Sequence, residues 1–277
     1  MNSNIRALVN ARSQFQKIRI AFENREGACE REVSKPFVKK GEDDPLVVKY
    51  AKMFDDLEKE LTKDLRKEAK TIPLIKQMAK LNGIDFTTAA QVCSMIDIAK
   101  CPTVSSLWRY AGYGVDKEGN IDRLHKGEKA CFNKRLKVIM HTVATNFLRC
   151  RSGSPFRIVY DDAKRKYLEK VATGEWGKKP GWKMRCHMAA LRKVKKIFLA
   201  TLWTRWRMME GLPIRCPYVE EYKGHTKIYS PEDFGWPALT EEIEGNKETR
   251  KQGNKETRKQ GNKETRKQGN KETRKQG

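Results

Sequence analysis

Three sets of side chains in this sequence have types and spacings that could do chemistry. The first is histidine and cysteine, as metal ligands or nucleophiles. His125, His141, His187 and His225 stand far apart, with no HxxxH or HxH spacing to bring two imidazoles onto one ion. The seven cysteines (29, 93, 101, 131, 150, 186 and 216) contain no CxxC. Their odd number and scatter read as reduced thiols of a cytoplasmic protein, with neither a disulfide frame nor a zinc site. Cys186 and His187 are adjacent, so on a helix they face different ways and do not chelate together. The second set is the carboxylate pairs Asp43/Asp44, Asp55/Asp56 and Asp161/Asp162. A two-metal nuclease needs carboxylates converging from strand ends. These pairs fall on helices or helix starts and read as caps and solvated faces. No P-loop or Rossmann fingerprint occurs, and no metal or cofactor is expected.

The third set is the basic residues, and it dominates. Lys and Arg number 59 against 35 Asp and Glu, a formal net charge of +24. A balance this positive points to an anionic partner, most often nucleic acid. Hydrophobic residues are 38% and charged residues 34%. This is a polar composition, but it still permits a folded core. Nothing approaches the ~20 apolar residues of a bilayer helix, and Met1–Asn10 lacks the apolar stretch of a secretory signal. A cytoplasmic protein without a membrane partner is expected.

The charge is unevenly placed. Gly-Asn-Lys-Glu-Thr-Arg-Lys-Gln begins at Gly245 and recurs at Gly253, Gly261 and Gly269, contributing +8. These copies hold no apolar residue, so residues 245–277 are expected to be disordered, either a non-specific polyanion tether or a neutral duplication. Residues 1–70 hold 16 basic and 13 acidic side chains; residues 71–244 hold 31 and 18, or +13. The binding surface is therefore expected in the central and C-terminal part.

Helices must position those residues. Ile5, Leu8, Ala11, Phe15, Ile18 and Phe22 form one apolar stripe; Leu46, Tyr50, Phe54, Leu57, Leu61 and Leu65 form another, after the helix-start pair Asp44-Pro45. The two pair as an antiparallel hairpin or dimerise as a coiled coil, and the stripes leave both open. Residues 72–113 read as short helices with small turns. Within them, Leu81-Asn82-Gly83-Ile84 before Thr87 and Thr88 has the look of a helix-hairpin-helix, whose turn points amides at a phosphate. Asp85 stands where such turns usually have a second glycine, so a structural hairpin stays equally open. Lys80, Asn82, Gly83, Thr87, Thr88 and Arg109 are the candidates here.

A helix is expected over 128–149 with Leu136, Ile139, Val143 and Phe147 inward. Lys126, Lys129, Lys134, Arg135 and Lys137 cluster at its start, where cations oppose the helix dipole unless an anion binds. A solvated face is the alternative. After a break at 152–155, a helix runs through Tyr160, Ala163 and Tyr167. A Gly/Lys/Trp-rich loop covers 174–183. A long helix follows over 184–209 with Leu191, Val194, Phe198, Leu202 and Met209 as its core stripe. Arg185, Arg192, Lys193, Lys196, Arg205 and Arg207 are placed on its other faces, beside Trp203 and Trp206. Those tryptophans either belong to the core or stack on unpaired bases. Residues 213–244 are proline-rich and read as an extended strap.

Taken together, Ile72-Pro73, Leu81-Asn82-Gly83-Ile84, Thr88-Ala89-Ala90, Leu107-Trp108-Arg109-Tyr110-Ala111-Gly112, Lys126-Gly127 and Asn133-Lys134-Arg135-Leu136 resemble the C-terminal domain of insertion-sequence transposases of the IS-one-ten family, grouped with IS-one-sixteen and IS-nine-oh-two. The resemblance covers about residues 1–212, most securely 72–168, and the first two helices resemble the family's helical linker. Family members also carry an RNase H-like domain with a DEDD acidic set, and a catalytic serine in a Ser-Gly motif shortly after the Tyr-Ala-Gly segment. This chain opens on helices, and Tyr113–Asn120 holds no serine. Ser152-Gly153 is the only Ser-Gly pair and follows the basic helix, so Ser152 is the sole, misplaced candidate nucleophile. The domain is also similar to Nop-type guide-RNA-binding modules, some without nuclease.

The resemblance therefore implies an all-α protein that binds nucleic acid in DNA transposition or recombination. It would work without the nuclease, alongside a separate catalytic subunit and as a homo-oligomer. The alternative is a guide-RNA-binding module. The expected domains are 1–70 (hairpin or coiled coil), 71–212 (nucleic-acid binding), 213–244 (strap) and 245–277 (repeats).

Overall fold

The computed structural model describes residues 3–30, 45–115, 126–150, 153–214 and 229–238. Ser152, Asp43/Asp44, His125, His225, Cys216 and the repeats lie outside the described residues. Among those described, the protein is all-α, with eight α-helices and no strand. No helix among them is long and apolar enough to cross a membrane.

Helices α1 (Ser3–Glu30) and α2 (Pro45–Ala69) are the two apolar stripes, and within one chain they pair as an antiparallel hairpin. Phe22 meets both Tyr50 and Phe54, while Phe15 meets Phe54. Arg12 and Arg19 both reach the buried Glu58 carboxylate, at 3.0 and 2.8 Å. At its base the hairpin enters the main core through Ile5, Val9, Leu65 and Ala69. At its far end Ile18, Leu46 and Tyr50 stay exposed despite lying on the stripes. There the structure is only two helices thick, so each stripe has one partner to cover it.

Helices α3 (Pro73–Met78), α4 (Phe86–Met95) and α5 (Val104–Tyr110) follow, joined by tight turns. The Tyr110-Ala111-Gly112 segment ends α5. Gly112 has φ +77°, and a Cβ there would lie 2.9 Å from both Phe132 and Lys137. The sequence needs glycine here on two counts: a left-handed backbone and close approach of the next segment. Gly112→Ala is expected to cost about 2–4 kcal/mol, summing left-handed strain and overpacking. Chemical denaturation checks this, and an unchanged midpoint would contradict the account.

Helix α6 (Lys134–Arg149) starts six residues later than the expected 128, because Asn133 caps it by accepting from the Leu136 amide at 3.0 Å. Leu136, Val143 and Phe147 point inward with Met140; Ile139 is only partly buried. Helices α7 (Pro155–Ala172) and α8 (Trp182–Met209) form a second hairpin, and α8 is the spine of the core, packing on α5, α6 and α7. Its apolar stripe is as expected.

Its arginines are not. Arg205 and Arg207, placed by the sequence on outer faces, are 0% and 5% exposed. Arg207 donates to the carbonyls of Ile98, Cys101 and Pro213. Arg205 donates to Gln77, Glu232 and the Pro237 carbonyl. Residues 229–238 cover this end of α8, with Phe234 and Trp236 in the core. Trp203 and Trp206 are core residues, 1% and 6% exposed, with the Trp203 indole donating to the Cys101 carbonyl. They are therefore unavailable for stacking on bases.

Candidate nucleic-acid interface

The candidate residues fall into separate regions. At the turn between α3 and α4, Asp85 caps α4 by accepting from the Thr88 amide at 2.9 Å. Hydrogen bonds from Thr88 and Thr87 outweigh burial and hold the Asp85 carboxyl below its usual range, so it is ionised. Arg66 stands 3.7 Å from the same carboxylate. The position a phosphate would take in a helix-hairpin-helix thus holds an internal anion. Gly83 (φ +100°) faces inward, where a Cβ would lie 3.2 Å from the Asn146 backbone. The Asn82 amide donates to the Gly153 carbonyl, and Thr87 is buried. The turn packs against the C-terminal end of α6. Lys80 is exposed beside it, and Arg109 is exposed on α5.

Lys126 and Lys129 precede α6 instead of lying in its first turn, while Lys134 and Arg135 open the helix. Arg135 donates to Asn10 of α1 at 3.0 Å. Their face therefore adjoins the base of the first hairpin.

The densest cluster lies where α6, α8 and the segment after α5 meet. Tyr113 is its centre. This phenol is buried and donates to the Lys137 carbonyl at 3.1 Å. The Arg192 guanidinium and the Lys195 ammonium lie 5.8 and 5.6 Å from the Tyr113 ring centroid. Arg192 also donates to the carbonyls of Tyr113 and Gly114, both at 2.8 Å. Lys196 sits 3.9 Å over Trp108, whose indole donates to the Lys196 carbonyl, and Lys137 sits 4.1 Å over Phe132. Three aromatic residues thus hold four cations by their ring faces, which attracts each cation without neutralising it.

The electrostatics follow from this packing. Burial, then Lys137 and Arg192, push the Lys195 ammonium down to about 8. Burial, then Arg192, do the same to Lys196, also to about 8. Among the described residues no carboxylate lies within ion-pair distance of either lysine. Lys195 donates to His141 Nδ1 at 3.1 Å. A lysine ammonium only donates, so His141 is a neutral imidazole with its proton on Nε2. Burial, Lys195 and His187 all lower the His141 pKa. On the far side His187 pairs with the Tyr160 hydroxyl at 2.6 Å and is lowered by burial, Lys164 and Lys195. Along the seam between α6 and α8, Lys137 and Arg192 repel Lys195, Arg192 repels Lys196, and two imidazoles with lowered pKa values stand beside them.

Of the sequence candidates, the fold brings together Lys137, Arg192 and Lys196, with Lys193 on the same stretch of α8. It leaves the α3–α4 turn at the other end of α6. Lys195 was missed, although its signal was present: it lies four residues after Leu191 and three before Phe198, a lysine on the apolar stripe. His141 and His187 were set aside because their spacing suits no metal; in three dimensions they join a base cluster. Among the described residues no group of three His, Cys, Asp or Glu side chains could hold a metal ion. The described cysteines 93, 101, 131 and 186 are free thiols.

In comparisons with known proteins, no family model and no curated protein matches this chain.

Proposed function

We propose that this protein binds nucleic acid as a transposase-like protein of the IS-one-ten type without a nuclease of its own, working in DNA transposition or recombination. The observation that carries the binding is the α6–α8 seam, where the partly exposed Lys196 stands on the Trp108 face and Lys195, 5% exposed, adds its charge from behind it. A phosphate oxygen there would relieve the repulsion, and His141 Nε2–H would add a neutral donor. The assignment to transposition rests on the motif resemblance. On this reading a separate subunit supplies catalysis, and the exposed apolar end of the first hairpin supports self-association.

The test is titration of labelled duplex DNA and of structured RNA with the full chain, at about 50 and 200 mM salt, where phosphate contacts weaken steeply. Retention of a discrete small RNA through purification would favour the guide-RNA form of the reading. Failure to bind either nucleic acid at the lower salt would overturn it.

A pH dependence is also expected. Both lysines have pKa values of about 8 in the free protein. A bound phosphate favours their charged forms, so binding takes up protons once they begin to lose them. Affinity should therefore fall as pH rises from 7 through 9, whereas ordinary surface lysines near 10.4 would keep it nearly level. A level profile across that range would exclude the seam as the contact.

A further inference from the structure

The far tip of the α7–α8 hairpin carries a second feature that the seam does not use. Two tryptophans stand there outside the core, both partly exposed. Trp176 stacks on Tyr167 with ring centroids 4.9 Å apart and planes 14° from parallel. The Arg185 guanidinium lies 4.4 Å from the Trp176 centroid. Trp182 opens α8 and is flanked by Lys178 and Lys183, whose ammonium groups lie 5.8 and 5.7 Å from its ring. Both lysines and Arg185 are exposed. Large aromatic side chains left at a solvent-facing hairpin end contribute little to the core. Flat rings alternating with cations match a strand whose flat bases alternate with phosphates.

We infer that the α7–α8 tip is a docking platform for a single-stranded nucleic-acid segment, with Trp182 and the Tyr167–Trp176–Arg185 stack as base-stacking surfaces. A duplex keeps its base faces covered by neighbouring pairs and offers such rings only phosphates. The tip therefore distinguishes unpaired from paired regions of one ligand, a selectivity the seam lacks. The inference rests on the nucleic-acid reading but has a separate readout. Exposed Met184 and Met188 nearby would also suit an anionic membrane surface. The stacked, cation-capped arrangement of the rings favours bases over an apolar wedge for lipid.

The experiment measures binding of the full chain to labelled oligothymidine, oligouridine and duplex DNA of about 20 residues, long enough to span one platform. Trp182→Ala is expected to weaken single-strand binding about tenfold while duplex affinity changes less than about twofold. Trp182→Phe, which keeps a ring face, should restore most of the loss. Arg185→Ala tests the second stack without removing a large ring. The ratio of oligouridine to oligothymidine affinity tells whether RNA or DNA is the source of the strand. Equal losses on duplex and single strand would overturn the inference, as would no loss on either. It would also fail if wild type bound no single strand, or bound vesicles of anionic lipid while Trp182→Ala abolished only that. The double variant Lys195→Met/Lys196→Met weakens both nucleic-acid forms if the seam is the general contact. Its failure with a selective Trp182 effect would remove the seam and keep the tip.

Discussion

Replacing Lys195 and Lys196 together with methionine is expected to weaken nucleic-acid binding by about tenfold or more while making the fold more stable at pH 7. The binding loss follows from one direct charged contact at Lys196, worth ~1.5–3 kcal/mol when made to an ionised group, together with the charge of the buried Lys195 behind it. The slope of log affinity against log salt should fall by about one. The gain in stability has the same origin. A lysine whose folded pKa is depressed penalises the fold fully below that value, and the penalty is relieved as pH rises from about 8 towards the unfolded value. At pH 7 the whole penalty is present, so removing Lys195 should stabilise by roughly 2 kcal/mol. That is less than the full shift would give, because the substitution also loses the hydrogen bond to His141 and the contact with the Tyr113 ring. Methionine keeps the stem packed against the Tyr113 region. Thermal denaturation and a salt-dependent titration on the same variant check both halves. A variant that binds as wild type, or that loses binding only because it unfolds, contradicts the assignment.

Arg205→Ala is expected to be the most destabilising single change on α8, at ~3–5 kcal/mol. Arg205 is fully buried and serves three acceptors on two segments: Gln77 at the end of α3, and Glu232 and the Pro237 carbonyl on 229–238. Removing it leaves a cavity where the guanidinium stood and orphans the Gln77 and Pro237 oxygens. It also unties residues 229–238, whose Phe234 and Trp236 complete the core. Arg205→Lys should recover little, since one ammonium cannot reproduce the planar fork. Glu232→Gln is the control. Glu232 is half exposed, its contact with Arg205 is 3.4 Å, and its loss should change stability by less than about 1 kcal/mol. Urea denaturation of the three variants checks the order. If Glu232→Gln costs as much as Arg205→Ala, the ion pair dominates and the carbonyl clamp is secondary.

Much of the architecture was legible in the residues alone. Apolar spacings of three and four mark the hairpin stripes and the core face of α8, because burying a helix on one side requires that period. Pro45 and Pro155 mark helix starts through their fixed φ. Residues 71–244, where the sequence concentrates charge, also contain the seam and the tip. Boundaries were less legible. The start of α6 was misplaced because Glu128–Phe132 has no breaker, and only the Asn133 cap shows where the helix begins.

Tertiary structure decided what each polar or aromatic residue on those helices faces. Sequence period assigns an angle around a helix, but whether that angle is covered depends on neighbours that arrive from far along the chain. Arg205 and Arg207 lie inside because residues 229–238 and the turn at 98–101 close over them. Trp203 and Trp206 are core for the same reason, while Trp176 and Trp182 stay half open because nothing described covers the tip. Gly83 turns inward because α6 packs on it. Lys195 becomes a perturbed base only because the Tyr113 segment and α6, with Lys137 and His141, close over α8, where Arg192 already stands one turn away.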